Sequence, residues 1–77
     1  MRTHLSFKRA DSSVIAGGEW RSQGGRMILD FTSGKSYEYA GVPEEIAIGL
    51  VAASSVGAFY NAEIKGKFDA GEVAPNA

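Results

Sequence analysis

The chain is predicted to be one α+β domain: a small antiparallel sheet of three to four strands followed by two short helices packed on one face. Alternating apolar and polar residues in the first half predict the strands, and Gly- and Ser-rich turns separate them. Two short apolar helical segments follow Pro43. With 77 residues and no cysteine, the chain depends on one thin core. We expect the domain to span residues 1–68 and residues 69–77 to form a flexible tail.

Three main strands are predicted in order. The first covers residues 14–20 and contains Gly17 and Gly18, which indicate a bulge or the close approach of another group. The second, residues 26–31, alternates regularly, and the third, residues 35–40, follows a tight turn at residues 32–34. The leader, residues 3–8, is a candidate edge strand.

The turn between the second and third strands decides which residues share a face. A three-residue turn with a left-handed glycine pairs Leu29 with Tyr37 and Met27 with Tyr39. A two-residue turn would bring a glutamate into the core, so burial favours the longer turn. With a four-residue loop in the first hairpin, the predicted core face is Trp20, Met27, Leu29, Phe31, Tyr37 and Tyr39, with Ala16 and Gly18. The opposite face is then Ile15, Glu19, Ile28, Asp30, Ser36 and Glu38.

The helices are predicted from their end signals. Pro43 suits the first helical position, and Glu44 and Glu45 suit the positive end of the helix dipole. Ser54 and Ser55 end this helix and cap the next, and Gly66 ends the second helix. The apolar positions are Ile46, Leu50 and Ala53 in the first helix, and Val56, Phe59, Tyr60 and Ile64 in the second.

The stretch from Lys35 to Phe68, KSYEYAGVPEEIAIGLVAASSVGAFYNAEIKGKF, resembles the KTSC family, small domains named for their place at the C-terminus of some lysyl-tRNA synthetases. The segment DSSVI at residues 11–15 extends the resemblance to roughly residues 6–68. It implies the fold given above. RNA binding is the role suggested for this family, which has no established activity. The chain departs from the family where basic residues usually flank Asn61, because Ala58, Ala62 and Glu63 stand there, and its aromatic pair reads Phe59-Tyr60 where Tyr-Phe is usual.

Charge limits the classes of partner. The chain has 8 basic and 9 acidic residues, a net charge of −1. Residues 69–77 hold two of the acids and no base, which leaves 8 against 7, or +1, for the rest. Proteins that bind long nucleic acids usually carry a basic patch or stripe. No segment reads as a signal peptide or a spanning helix, so we expect a cytoplasmic protein without a membrane partner.

Catalysis has little support in the sequence. His4 is the single histidine and lies in a candidate edge segment, which is a poor place to hold a general base. Glu44 and Glu45 are helix neighbours that do not face each other, and capping explains both. Neither glycine pair has the spacing of a phosphate-binding loop. We therefore expect a protein that is not an enzyme, with no catalytic residues, no metal site and no cofactor.

Two groups of residues are candidates for ligand binding. Tyr37 and Tyr39 are the family's Tyr-X-Tyr pair and either stack on a base or pack under the helices; their shared face with Leu29 favours packing. Gly57, Asn61 and Lys65 recur every four residues and form one polar stripe on the second helix. Ser55 and the free amides at the helix start offer an anion site. The alternative is a purely structural role, in which Ser55 caps the helix, Gly57 allows tight packing, Asn61 bonds to nearby backbone and Lys65 faces solvent. The candidate ligand-binding residues are Tyr37, Tyr39, Ser55, Gly57, Asn61, Lys65 and Lys67.

The function expected from these residues is a non-enzymatic binding module for a phosphate-bearing ligand. The near-neutral charge favours a small nucleotide, which a homo-oligomer could sequester as a signal in pockets at its subunit contacts. Short RNA is the alternative partner, in an accessory role in translation or RNA handling. A third class is a protein-interaction module that uses the Ile15/Ile28 face or an edge strand.

Overall fold

The computed structural model describes residues 4–8 and 14–73. The elements are β1 (His4–Lys8), β2 (Ile15–Arg21), β3 (Arg26–Phe31), β4 (Ser36–Tyr39), α1 (Glu44–Ala52), α2 (Val56–Glu63) and β5 (Ala70–Val73). One turn of 3₁₀ helix, Gln23–Gly25, joins β2 to β3. The chain is thus an α+β protein. None of the helices in the described part of the chain has the length and apolar character needed to cross a membrane.

The sheet has five antiparallel strands in the order β1-β2-β3-β4-β5, with α1 and α2 inserted between β4 and β5. The expected three to four strands were therefore too few. The fifth strand comes from the segment assigned to a flexible tail, since Ala70–Val73 pairs with Ser36–Tyr39. Its sequence, Ala-Gly-Glu-Val, has only one residue of high strand propensity, and the edge of β4 supplies the pairing. Residues 74–77 lie outside the described residues.

The predicted hairpin register is confirmed. Leu29 pairs with Tyr37 and Met27 with Tyr39. Gly34 has φ +96°, and its amide bonds to the Phe31 carbonyl at 3.0 Å. The edge strand in the leader is also confirmed for His4–Lys8, while Thr3 lies outside the described residues. The turn chemistry therefore sets the faces of β3 and β4 correctly.

The prediction for the start of β2 was wrong. Ile15 is completely buried, whereas Ala16 is exposed, because the ladder shifts between them. Ile15 pairs with Phe31 and Gly17 with Asp30, so Ala16 is the extra residue of a bulge. Gly17 and Gly18 indicated a bulge but not its position, and the position determines whether Ile15 or Ala16 faces the core. The Ile15/Ile28 face proposed for protein contacts accordingly does not exist.

The core lies between the sheet and the two helices. Its buried members from the sheet are Ile15, Trp20, Met27, Leu29 and Tyr39, and those from the helices and their flanking residues are Val42, Ala47, Leu50, Val56 and Ile64. The Trp20 indole donates a 2.9 Å hydrogen bond to the Val42 carbonyl, which ties β2 to the segment before α1. We call the sheet surface opposite the helices the outer face; Arg21, Arg26, Ile28, Asp30 and Ser36 lie on it.

The helix ends follow the sequence signals with two shifts. Pro43 is the N-cap of α1 and not its first helical residue; its carbonyl accepts the amide of Ala47 at 3.2 Å. Ser55 caps α2 as predicted, because its hydroxyl accepts the Ala58 amide at 3.3 Å. The predicted end of α2 at Gly66 was too late, because α2 ends at Glu63. Gly66 lies three residues further on with φ +76°, a conformation that glycine adopts without strain.

Candidate functional site

Helix α2 meets the sheet through an aromatic cluster. The Tyr60 ring lies edge-on to Phe31, with centroids 5.4 Å apart, and to Tyr39 at 6.1 Å. Phe31 in turn meets Tyr37 edge-on at 5.6 Å. Such edge-to-face pairs add stabilisation to the area they bury. The cluster therefore packs the middle of α2 across β3 and β4.

Tyr39 is a core residue and leaves the candidate site. It is only 3% exposed, and its hydroxyl lies 2.8 Å from that of Tyr60. Burial and the bond to Tyr60 raise the pKa of Tyr39 above its ordinary value. A ring that is this deeply buried has no free face on which a base could stack. Tyr39 therefore packs under the helices.

Phe31, Tyr37 and Tyr60 are only half-buried, and we call these three residues the aromatic rim. They come from three different elements, β3, β4 and α2. Each of the three residues packs against the core and is still partly accessible to solvent. This combination of a fixed ring and an accessible surface is what stacking on a planar ligand requires.

The polar stripe of α2 is interrupted at its start. Gly57 faces Val14, and a Cβ at this position would lie 3.4 Å from Val14 Cγ2, an ordinary contact. Gly57 therefore adjoins a neighbouring strand end, and alanine would fit there. Ser55 uses its hydroxyl to cap the helix. At about 1.5 Å per residue, the eight residues of α2 span about 12 Å, so Ser55 and Lys65 lie too far apart to hold one phosphate group.

The other end of α2 is more open. Asn61, Lys65 and Lys67 are exposed. Lys65 lies beyond the end of the helix, and its amide bonds to the Tyr60 carbonyl at 2.8 Å. No carboxylate in residues 4–8 and 14–73 forms an ion pair with Lys65 or Lys67. These three side chains are thus accessible in the part of the chain that follows Tyr60.

Lys35 is a cation near the aromatic rim that the sequence analysis overlooked. Its carbonyl accepts the Phe31 amide at 2.8 Å, and it precedes Tyr37 by two residues. In an extended chain this spacing directs both side chains to the same side. The three-residue turn that set the register could have identified Lys35, because the same pairing places it opposite Phe31.

His4 and the outer-face charges form a separate network. His4 Nε2 lies 2.9 Å from Glu19 Oε2, and Arg21 Nη2 lies 3.6 Å from the same oxygen. On the other side, Arg26 Nε lies 3.3 Å from Glu38 Oε2. His4 is thus an exposed partner of a carboxylate. Within the described residues, no three His, Asp or Glu side chains form a group that could hold a metal ion.

Comparison with known proteins identifies the family. The KTSC domain matches residues 11–68, three quarters of the chain. A solved structure of a KTSC domain protein from Yersinia pestis superposes with a TM-score of 0.84 at 26% identity, and covers 94% of this chain and 100% of its own. None of the curated proteins shows significant similarity. The family match spans β2, β3, β4, both helices and the turn after α2, and so the chain belongs to the KTSC domain family.

Proposed function

We propose that the chain is a non-enzymatic binding module for a small nucleotide, which binds at the aromatic rim. The single observation behind this proposal is that three half-buried aromatic residues pack edge to face, with Lys35 opposite Phe31 in the hairpin and the exposed Asn61 next to Tyr60 in the chain. A base can stack on an exposed ring surface with about 1–3 kcal/mol per base. A phosphate can then pair with a lysine. The Asn61 amide can donate to and accept from the edge of the base.

The choice of a small ligand follows from the distribution of charge. Lys35 directly precedes β4 and Lys65 follows the end of α2, so the two cations come from different parts of the chain. Arg21 and Arg26 lie on the outer face beside glutamates. The positive charge near the rim is thus enough for one or two phosphates, whereas long RNA needs a continuous basic path. We place this binding in the cytoplasm, where nucleotides are abundant.

Titration of ¹⁵N-labelled protein with AMP tests the location of the site. We expect shifts at Tyr37, Tyr60 and Asn61. Tyr37→Ala removes the stacking surface and should weaken binding by about 5- to 150-fold, the equivalent of 1–3 kcal/mol. Asn61→Ala should weaken it by about tenfold. Tyr37→Phe keeps the ring and should leave binding nearly unchanged, so it is the matched control. Absence of shifts at millimolar AMP, or shifts confined to other residues, would rule out the rim.

The two lysines can be separated by the same titration. Lys35→Ala and Lys65→Ala each remove one charge from a different side of the rim. The substitution that weakens AMP but leaves adenosine binding unchanged identifies the residue that contacts the phosphate. If neither affects AMP, the phosphate contact in the proposal is wrong, even where stacking survives.

Sequestration of a nucleotide signal by a homo-oligomer is the wider form of this proposal. Native mass spectrometry of protein purified without denaturation reports the assembly size and any retained nucleotide together. A retained nucleotide on an assembled form supports sequestration. A monomer without ligand, together with weak AMP binding, would restrict the function to a transient contact.

RNA binding is the rival function. We expect unstructured RNA to bind with a Kd of about 10 µM or weaker at physiological salt, outside the range of specific nucleic-acid complexes. Labelled single strands titrated at several salt concentrations measure this. Submicromolar affinity with a steep salt dependence would favour RNA over a small nucleotide, because each phosphate contact releases a counterion.

A further inference from the structure

Two arginines face each other on the outer face of the sheet. Arg21 and Arg26 are the last cross-strand pair before the β2–β3 loop. Their neighbours Trp20 and Met27 are buried in the core, so the alternation of the strands directs both arginines to the opposite side. Each side chain is 63% exposed. Like charges directly opposite each other destabilise a sheet, and an anion between them would relieve this repulsion.

Among the residues that the structure describes, a single carboxylate contact compensates each of these two arginines. Arg26 approaches Glu38 through Nε at 3.3 Å, and Arg21 approaches Glu19 through Nη2 at 3.6 Å. Glu19 is also the partner of His4. A guanidinium carries five N–H donors in a fork that matches carboxylate and phosphate oxygens in pairs. A tetrahedral phosphate has enough oxygens to meet both forks, whereas one carboxylate does not.

The arginine pair opens into a depression in the outer face. A cavity of about 140 Å³ is lined by both arginines with Ile28 and the two glutamates. Its Glu19 and Ile28 also line a groove of about 830 Å³ that continues to Asp30 and Ser36. Asp30 lies four positions after Arg26 on the same strand, which at about 3.4 Å per residue is roughly 14 Å. This length suits a compact molecule with its phosphate at one end.

The far end of the groove is suited to hydroxyl groups. Ser36 Oγ donates a 2.7 Å hydrogen bond to Asp30 Oδ1, which holds the carboxylate in place. A carboxylate accepts several hydrogen bonds, so Asp30 can bind further hydroxyls. Ile28 offers an apolar contact between the two ends. We propose that the outer face is a second, separate site that takes a phosphate monoester of a polyol, the chemistry of a sugar phosphate.

Ribose 5-phosphate, ribose and inorganic phosphate are the probes, with ¹⁵N shifts as the readout. Ribose 5-phosphate should shift Arg21, Arg26 and Asp30 and leave the aromatic rim unchanged. The double variant R21Q/R26Q should weaken it at least about tenfold, as expected for the loss of charge-assisted hydrogen bonds. Asp30→Asn should weaken ribose 5-phosphate but not inorganic phosphate.

The double variant R21K/R26K is the matched control, since it keeps both charges and removes both forks. Weakening by R21K/R26K close to that of R21Q/R26Q supports a built site. If R21K/R26K binds ribose 5-phosphate as well as the parent chain does, charge attraction alone explains the binding and the proposal is wrong. The absence of shifts on the outer face would also overturn it. AMP shifts at the rim are read from different residues in the same spectra. Failure of either proposal can therefore be told apart from failure of the other.

Discussion

The hydroxyl contact between Tyr39 and Tyr60 predicts a measurable coupling between sheet and helix. Tyr39→Phe leaves the ring in place but removes the 2.8 Å contact, so the Tyr60 hydroxyl loses its partner at a part-buried position. We expect a loss of about 1 kcal/mol of unfolding free energy. Tyr60→Phe should cost about the same for the same reason. Tyr39→Ala also opens a cavity at a position that is 3% exposed, and should cost roughly 3–5 kcal/mol.

The double variant Tyr39→Phe/Tyr60→Phe tests whether the two hydroxyls interact directly. Once one hydroxyl is absent, removal of the other leaves no further group unpaired, so the double variant should be little worse than either single variant. The coupling free energy should then be about 1 kcal/mol, or about 4–8 °C in Tm for a domain of this size. Urea unfolding followed by tryptophan fluorescence measures it. Tyr37→Phe is the matched control and should change stability by less than about 0.5 kcal/mol. Additive single effects would refute the contact.

Three further predictions concern the sheet and its titration. Gly18→Ala should lower the free energy of unfolding by about 1–3 kcal/mol, because the added Cβ would lie 2.6 Å from the Ile28 carbonyl oxygen. Gly71→Ala is the control, since its Cβ would meet open space. Equal Tm values for the two variants would contradict this packing. Deletion of residues 70–77 removes β5 and should lower the Tm by several degrees, while a Tm equal to that of the full chain would show that the strand contributes nothing. Tyr39 has a raised pKa in the folded state, so the folded chain keeps this proton where the unfolded chain loses it. The contribution of Tyr39 to stability should therefore be constant below about pH 10 and fall above it, and melts across alkaline pH should show a smaller fall for Tyr39→Phe.

Patterns of alternation and turn chemistry predicted most of the sheet. The left-handed glycine before Lys35 set the register of β3 and β4, and that register placed Met27, Leu29 and Tyr39 in the core. These residues are predictable because a slip of one position would bury a charge. The register argument fails where a β-bulge adds one residue to a strand. The bulge at Ala16 reverses the faces upstream of it, and the two glycines do not show where it lies.

The strand β5 and the candidate site depend on contacts that are distant in the chain. Ala70–Val73 has no strand pattern and pairs because β4 has a free edge. The bond between Tyr39 and Tyr60 separates a core tyrosine from the half-buried Tyr37, although the two occupy equivalent positions on one strand. Likewise, the periodicity that put Lys65 on the helix stripe continues past the true end of α2. Helix length and burial, unlike periodicity, are set by tertiary packing.

The bulge also has a consequence for variation in chain length. In a regular strand, loss of one residue turns every side chain beyond it to the other face. Ala16 is the exception in β2, because Ile15 already faces the core across the ladder from Phe31, and Gly17 faces outward opposite Asp30. Deletion of Ala16 would restore simple alternation and keep Ile15 inside. Natural length variants of this strand should therefore gain or lose their residue at the bulge, while the positions that follow it keep a constant spacing.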